Sequence, residues 1–197
     1  MNHKAFFLSF FSSLLFLSSL HASLGEGDLV PSGMLRSVGG EDVDIAEISK
    51  GKPAVFIFYR GGWCPYCNLH LADLQTIESA LRELGFSIYA ISPDSPEELK
   101  KSISKHELGY TLLSDSKMEI AEVFGIAFTV EEDVVQRYKG YGMDLERASE
   151  ETNHKLPHPA VFLVDRGRVF FAHVNSNYKV RLPALEILEK ARALSEN

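Results

Sequence analysis

Cys64 and Cys67 are the chain's only cysteines, with Pro65 and Tyr66 between them. They come just after the apolar run Ala54-Val55-Phe56-Ile57-Phe58-Tyr59, which suits a buried strand. Beyond them the pattern turns helical, so the pair falls at a strand-to-helix turn. There, unpaired backbone N–H groups and the helix dipole favour a thiolate. Two neighbouring thiols, one of them ionised, can exchange disulfides. Two other readings compete. A structural staple across so short a loop would remove little chain entropy. His70 extends the pair to a ligand-like spacing, but no second cysteine or histidine pair completes a zinc site nearby.

The elements that must hold this turn can be read on either side of it. Met34 to Ser49 reads as a strand or hairpin turning at Gly39-Gly40, followed by a polar loop. From Pro65, Leu74, Ile77, Leu81 and Leu84 give one apolar helical face that stops at Gly85. Phe86–Ser92 is a strand, and Ser95-Pro96-Glu97-Glu98 opens a helix to about Leu108 with an N-cap, a first-turn proline and acidic residues. A short strand (Thr111-Leu112-Leu113) and a short helix (Ser116 to Phe124) follow. Ala160–Val164 and Val169–His173 flank a turn at Asp165-Arg166-Gly167, and a helix over about Leu182–Leu194 closes the chain. Strands alternating with helices and a final hairpin predict an α/β fold with a mixed central sheet flanked by helices. Residues 128–156 break the rhythm. This polar stretch reads as an insertion with one or two helices, either a solvated excursion or a part of the substrate face.

With 197 residues, 45% of them hydrophobic, the chain can form one domain with a sizeable core. Its net charge of −7 argues against nucleic acid or anionic membrane as the main partner. Lys4 followed by the uncharged, serine-rich run Ala5–Leu20 reads as an export signal over residues 1–22, cleaved after Ala22. The alternative is an uncleaved membrane anchor. Residues 23–197 are then an exported domain, periplasmic or secreted, where disulfides persist. No nucleotide fingerprint or metal cluster is present, so no bound cofactor is expected beyond a Cys64–Cys67 disulfide.

The chain resembles the peroxiredoxin-like branch of the AhpC/TSA family, within the thioredoxin-fold superfamily. The resemblance rests on Phe58-Tyr59-Arg60-Gly61-Gly62-Trp63-Cys64-Pro65-Tyr66-Cys67, Ile91-Ser92-Pro93-Asp94-Ser95, Leu112-Leu113-Ser114-Asp115 and Pro159-Ala160-Val161-Phe162-Leu163-Val164-Asp165. It implies a thioredoxin-like fold from about Met34 onward. In the peroxiredoxin pattern Pro-x-x-x-Thr/Ser-x-x-Cys, the peroxidatic cysteine would fall on Cys67. Cys64 would stand where that pattern has its hydroxyl, Arg60 where it has its proline, and the peroxide-polarising arginine would fall near Pro159. Trp63-Cys64-Pro65-Tyr66-Cys67 instead resembles the thioredoxin and glutaredoxin site, and Pro159 the cis-proline that guides a substrate strand.

The site resemblance outweighs the body, so the leading expectation is an exported thiol–disulfide oxidoreductase. Cys64, exposed at the helix start, attacks, and the more buried Cys67 resolves the mixed disulfide. Trp63 and Tyr66 frame the nucleophile or simply pack. Arg60 lowers the thiol pKa or bonds to the backbone. His158 moves a proton or is a surface-loop histidine. A cis His158–Pro159 bond leaves main-chain groups free for a substrate strand. The alternative is a peroxiredoxin-type antioxidant peroxidase acting on hydroperoxides. A second alternative is a redox-inert binding module, against which the pair Gly61-Gly62 suggests an open approach. Expected partners are protein or small-molecule thiols and disulfides, hydroperoxides under the alternative, and an electron donor or acceptor the sequence does not identify. Membrane contact is expected only if the signal stays attached.

Overall fold

The strand leading to the dithiol is buried on both faces. In the computed structural model, which describes residues 22–196, all five residues of β3 (Ala54–Phe58) are buried. Val55, Ile57 and Tyr59 join one core cluster, and Ala54, Phe56 and Phe58 the other. Such a strand needs neighbours on both sides. β3 pairs parallel with β4 (Ser87–Ser92) and antiparallel with β8 (Ala160–Asp165). Seven strands make up the main sheet, in the order β2-β1-β5-β4-β3-β8-β9. Its outer members are β1 (Met34–Ser37), β2 (Asp42–Asp44), β5 (Thr111–Ser114) and β9 (Arg168–Val174). Parallel β3, β4 and β5 are combined with antiparallel pairs at both margins, which makes the sheet mixed.

Helices cover both faces. The first core cluster contains Leu71 and Leu74 of α2 (Pro65–Gln75), Leu81 of α3 (Glu78–Glu83), Leu99 of α4 (Pro96–His106) and Ile187 of α8 (Ala184–Ser195). The second contains Ile45 of α1 (Ile45–Gly51) and Ile120 of α5 (Glu119–Val123).

Three local expectations are corrected. The polar loop after the hairpin is α1, where Asp44 accepts from Ala46 N–H at 2.8 Å as N-cap while Ile45 is fully buried. The single helix to Gly85 is two. Thr76 returns its hydroxyl to Asp73 O (2.6 Å), and Ile77 starts α3 with φ −109° and ψ 0°. The apolar spacing survives the break because Leu74, Ile77 and Leu81 stay buried. Ser95 occupies the N-cap position of α4 without a side-chain cap bond.

The segment 128–156 is tied at its base, where β6 (Ala127–Thr129) pairs antiparallel with β7 (Lys155–Pro157). Between them lie α6 (Glu132–Gly140) and α7 (Leu145–Ser149). Val135, Leu145 and Leu156 form a small core of their own, and Trp63 and Tyr138 pack against it. The expected export signal falls on residues 1–22, which apart from Ala22 lie outside the described residues. Among the described residues, no helix is long and apolar enough to cross a membrane.

Candidate active site

Cys64 is the N-cap residue of α2 and Cys67 lies in its first turn, with Pro65 at the helix start. Cys64 O accepts from the N–H groups of Cys67 (3.0 Å) and Asn68 (3.1 Å), and Asn68 Nδ2 bonds Gly62 O at 2.9 Å. The two thiols are unbonded. The Cys67 thiol donates to Cys64, and a Cys67 backbone bond and the charges of Arg60 and Arg181 add to its effect. Together they outweigh burial and bring the Cys64 thiol down to about 6. Burial, and then the bond and charge of Cys64, push Cys67 well above the ordinary thiol range. Cys64 is therefore the thiolate at neutral pH and Cys67 the protonated partner.

The turn before them is tightly packed. Gly61 has φ +137°, and a Cβ there would lie 2.4 Å from Trp63 Nε1 and 2.7 Å from Asp94 Oδ1. A Cβ on Gly62 would fall 2.2 Å from Ser102 Oγ. The glycine pair thus serves close packing rather than open access. Asp94, buried just after β4, accepts from Gly62 N–H at 2.7 Å. Burial pushes its carboxyl up to about 7 although that hydrogen bond pulls it down.

Cys64 was expected at an exposed position, but it is only 2% exposed and Cys67 is fully buried. Part of the cover comes from the connection between β9 and α8, a strap over residues 175–183. Tyr178 packs edge-on against Tyr66 with ring centres 5.8 Å apart, and the Arg60 guanidinium lies 4.6 Å from the Tyr178 ring centre. Arg181 Nη2 donates to Cys67 Sγ at 3.3 Å. The strap is fixed at its ends, where Asn175 N–H donates to Pro159 O (3.0 Å), His70 Nε2 to Leu182 O (3.0 Å) and Ala184 N–H to Asp73 Oδ2 (3.0 Å). Burial drives His70 down to about 4, so it is a neutral anchor.

Each residue singled out in the sequence has a definite place. Arg60 is buried. Its Nη2 donates to Tyr138 OH at 2.7 Å, and its guanidinium also faces the rings of Trp63 and Tyr138. Its charge is among the smaller contributions that lower the Cys64 thiol. Trp63 packs between the turn and Tyr138, with rings 5.9 Å apart, and Tyr66 stands exposed at the rim. His158 stacks on Phe128 (4.6 Å), and burial and then Arg60's charge lower its pKa, so it is neutral at neutral pH.

The expected cis bond before Pro159 is absent: no cis peptide occurs among the described residues. The extended chain lets His158 N–H donate to Ile126 O at 2.8 Å while Pro159 O receives Asn175 N–H. These main-chain groups are thus already paired and not free for a substrate strand.

Sequence reasoning missed Arg181, Asp94, Tyr138 and Tyr178 as parts of this site. For Asp94 a signal was present, since it lies in one of the stretches that carry the family resemblance. Among the described residues, no cluster of His, Cys, Asp or Glu could hold a metal ion.

Comparison with known proteins gives the family and the fold. Residues 27–171 match the model of the AhpC/TSA family. Peroxiredoxin Bcp of Escherichia coli is 31% identical over 103 residues, 52% of this chain and 65% of that protein, so the chain spans less than two thirds of that relative's length. The thiol-disulfide oxidoreductase ResA of Halalkalibacterium halodurans is 23% identical over 101 residues, 51% of this chain and 56% of that protein. Among solved structures, reduced Prx3 from Vibrio vulnificus in complex with hydrogen peroxide superposes with a TM-score of 0.71 at 16% identity. That match covers 85% of this chain and 99% of that one, and the fold is thus the thioredoxin-like fold of peroxiredoxins.

Proposed function

The chain belongs to the AhpC/TSA family, and from that premise we propose that it is an oxidoreductase, a thiol-dependent peroxidase. The Cys64 thiolate attacks a hydroperoxide ROOH and takes its OH to become the sulfenic acid, while RO⁻ leaves and is protonated by water. Cys67 then closes the Cys64–Cys67 disulfide and releases water, and an external thiol returns the pair to the dithiol. One observation carries this reading: a thiol lowered to about 6 that is only 2% exposed. It is ionised at neutral pH yet closed in, which suits an oxidant a few atoms across better than a protein disulfide.

Dithiol–disulfide exchange with proteins, the leading expectation from the sequence, is the second reading. It is favoured by the Cys64-Pro65-Tyr66-Cys67 spacing and by the likeness to ResA. The paired main chain around Pro159 and the strap over the dithiol weigh against it. An inert binding module would have no use for an activated thiol.

The assay is peroxide consumption with dithiothreitol as reductant, run beside reduction of insulin disulfides. Rapid peroxide turnover with slow insulin reduction is expected; the reverse would transfer the assignment to the second reading. Export of residues 23–197 is part of the proposal, supported by the charge and apolar pattern of residues 1–22. Mass spectrometry of the protein recovered outside the cytosol should find an N-terminus at Ser23, and an intact Met1 would refute cleavage.

A further inference from the structure

The peroxidase cycle, on which this inference rests, needs a thiolate twice, first at Cys64 and then at Cys67. In the resting dithiol the negative charge sits on Cys64 and the Cys67 thiol donates to it. Burial and the Cys64 charge both keep the Cys67 proton in place. When Cys64 becomes a sulfenic acid its charge disappears, and with it the charge contribution that helps keep Cys67 protonated, while the larger one from burial remains.

What then faces Cys67 is a fixed cation. Arg181 Nη2 lies 3.3 Å from Cys67 Sγ. Its Nη1 is held by the carbonyls of Tyr178 and of Val180, the latter at 2.9 Å. Its Nε is buried without a hydrogen-bond partner. Arg60, the other nearby cation, is committed to Tyr138 OH and three aromatic rings, and its charge acts on Cys64. The dithiol therefore has two arginines of different origin, one from the turn that carries Cys64 and one from the strap.

We propose that Arg181 is a catalytic residue of the resolving step, holding Cys67 as a thiolate once Cys64 has been oxidised. A Cys67 sulfur lone pair attacks the Cys64 sulfur, the S–S bond forms and the S–O bond breaks. Hydroxide leaves and combines with the proton that Cys67 gave up, forming water. The Cys67 sulfur is oxidised, the sulfenic sulfur is reduced, and no further oxidant is required. Because Arg181 is already in place but Cys64's charge holds the Cys67 proton until peroxide has reacted, the order of the two steps is built into the site.

The test is rapid mixing of reduced protein with hydrogen peroxide, followed through the fluorescence of Trp63, the chain's single tryptophan, and by mass spectrometry with dimedone trapping. Wild type should show two phases and little dimedone adduct. Arg181→Met should slow the second phase at least about ten-fold, and clearly more than it slows the first, to which Arg181 contributes only a minor share of the Cys64 shift. Sulfenic and then sulfinic acid at Cys64 should accumulate. Arg181→Lys should restore most of the second phase, which a purely structural loss of the guanidinium would not predict. Equal slowing of both phases by Arg181→Met, or slowing of neither, would overturn the proposal.

A companion titration needs no peroxide. In Cys64→Ser protein, thiolate absorbance follows Cys67 alone, and adding Arg181→Met should raise its midpoint by about one unit or more. An unchanged midpoint also overturns the proposal. A wild type that never reacts with peroxide would instead overturn the peroxidase reading, so the two failures are distinguishable.

Discussion

The dithiol lies between two regions built in opposite ways. On one side is the turn over residues 59–67, whose groups are neighbours in sequence: Arg60 beside the strand end, Gly61 and Gly62 bending the chain, and Cys64 capping α2. On the other side is the strap over residues 175–183, which brings Arg181 to a sulfur 114 residues earlier in the chain. In the proposed mechanism the turn makes the nucleophile, through short-range backbone geometry, a helix start, the Cys67 thiol and the adjacent Arg60, with a smaller share from Arg181. The strap closes the site and faces the second cysteine, and it does so only because α8 and β9 dock where they do. In that mechanism, activation of the first thiol is mainly local, while access and resolution are tertiary properties.

That contrast can be broken from the turn side first. Arg60→Met removes a cation whose charge acts on Cys64, and by raising the thiol one to two units it should cut the rate of peroxide oxidation at pH 7 about two- to ten-fold. Stopped-flow oxidation under excess peroxide measures this, and a loss confined to the resolving phase would erase the division between the two arginines.

The pH profile sharpens the same side. With the thiol near 6, the oxidation rate should be half-maximal close to pH 6 and flat from about pH 7 to 8. Linkage gives stability a definite sign. Between pH 6 and the ordinary thiol value of 9.0 the unfolded chain holds a proton that folded Cys64 does not, so the stability of the reduced protein gains from rising pH. Cys64→Ser should remove that gain, up to about 1.4 kcal/mol per pH unit, as read from urea unfolding of both proteins across this range. Buried Asp94 and Asp115 act in the opposite sense below about pH 7 and are common to both proteins.

On the strap side, Tyr178→Ala takes away the ring that lies on Arg60 and Tyr66. It should speed labelling of Cys64 by a bulky maleimide several-fold while changing the peroxide rate less. Equal labelling rates would mean that the strap does not limit access. The smallest effect is expected from Tyr138→Phe, which removes the hydroxyl that receives Arg60 Nη2. A net loss of one hydrogen bond to a charged group that keeps its aromatic contacts should slow oxidation by no more than about three-fold.

The same contrast explains how much could be read from the sequence. β3, the start of α2 and the hairpin of β8 and β9 were legible because each is written in a contiguous run: five buried apolar residues, a proline at a helix start, a turn at Asp165-Arg166-Gly167. The place of Cys64 and Cys67 at the start of α2 was legible for the same reason. The break at Thr76 was not, because the apolar spacing continues across it and the sheet still receives the same faces. The burial of Cys64 and the place of Arg181 depend on how residues 175–183 return to the sheet edge, which leaves no periodic mark. The occupied main chain around Pro159 belongs to the same class: the pairing of β6 with β7 and the Asn175 bond do not appear as a local pattern.

The most direct measurement is stopped-flow oxidation of wild type, Cys64→Ser and Cys67→Ser by hydrogen peroxide, followed by Trp63 fluorescence and by mass spectrometry. Fast oxidation is expected in wild type, none in Cys64→Ser, and a single fast phase in Cys67→Ser that ends at a sulfenic acid on Cys64. Fast oxidation that survives the loss of Cys64 but not of Cys67 would contradict this mechanism, making Cys67 the nucleophile.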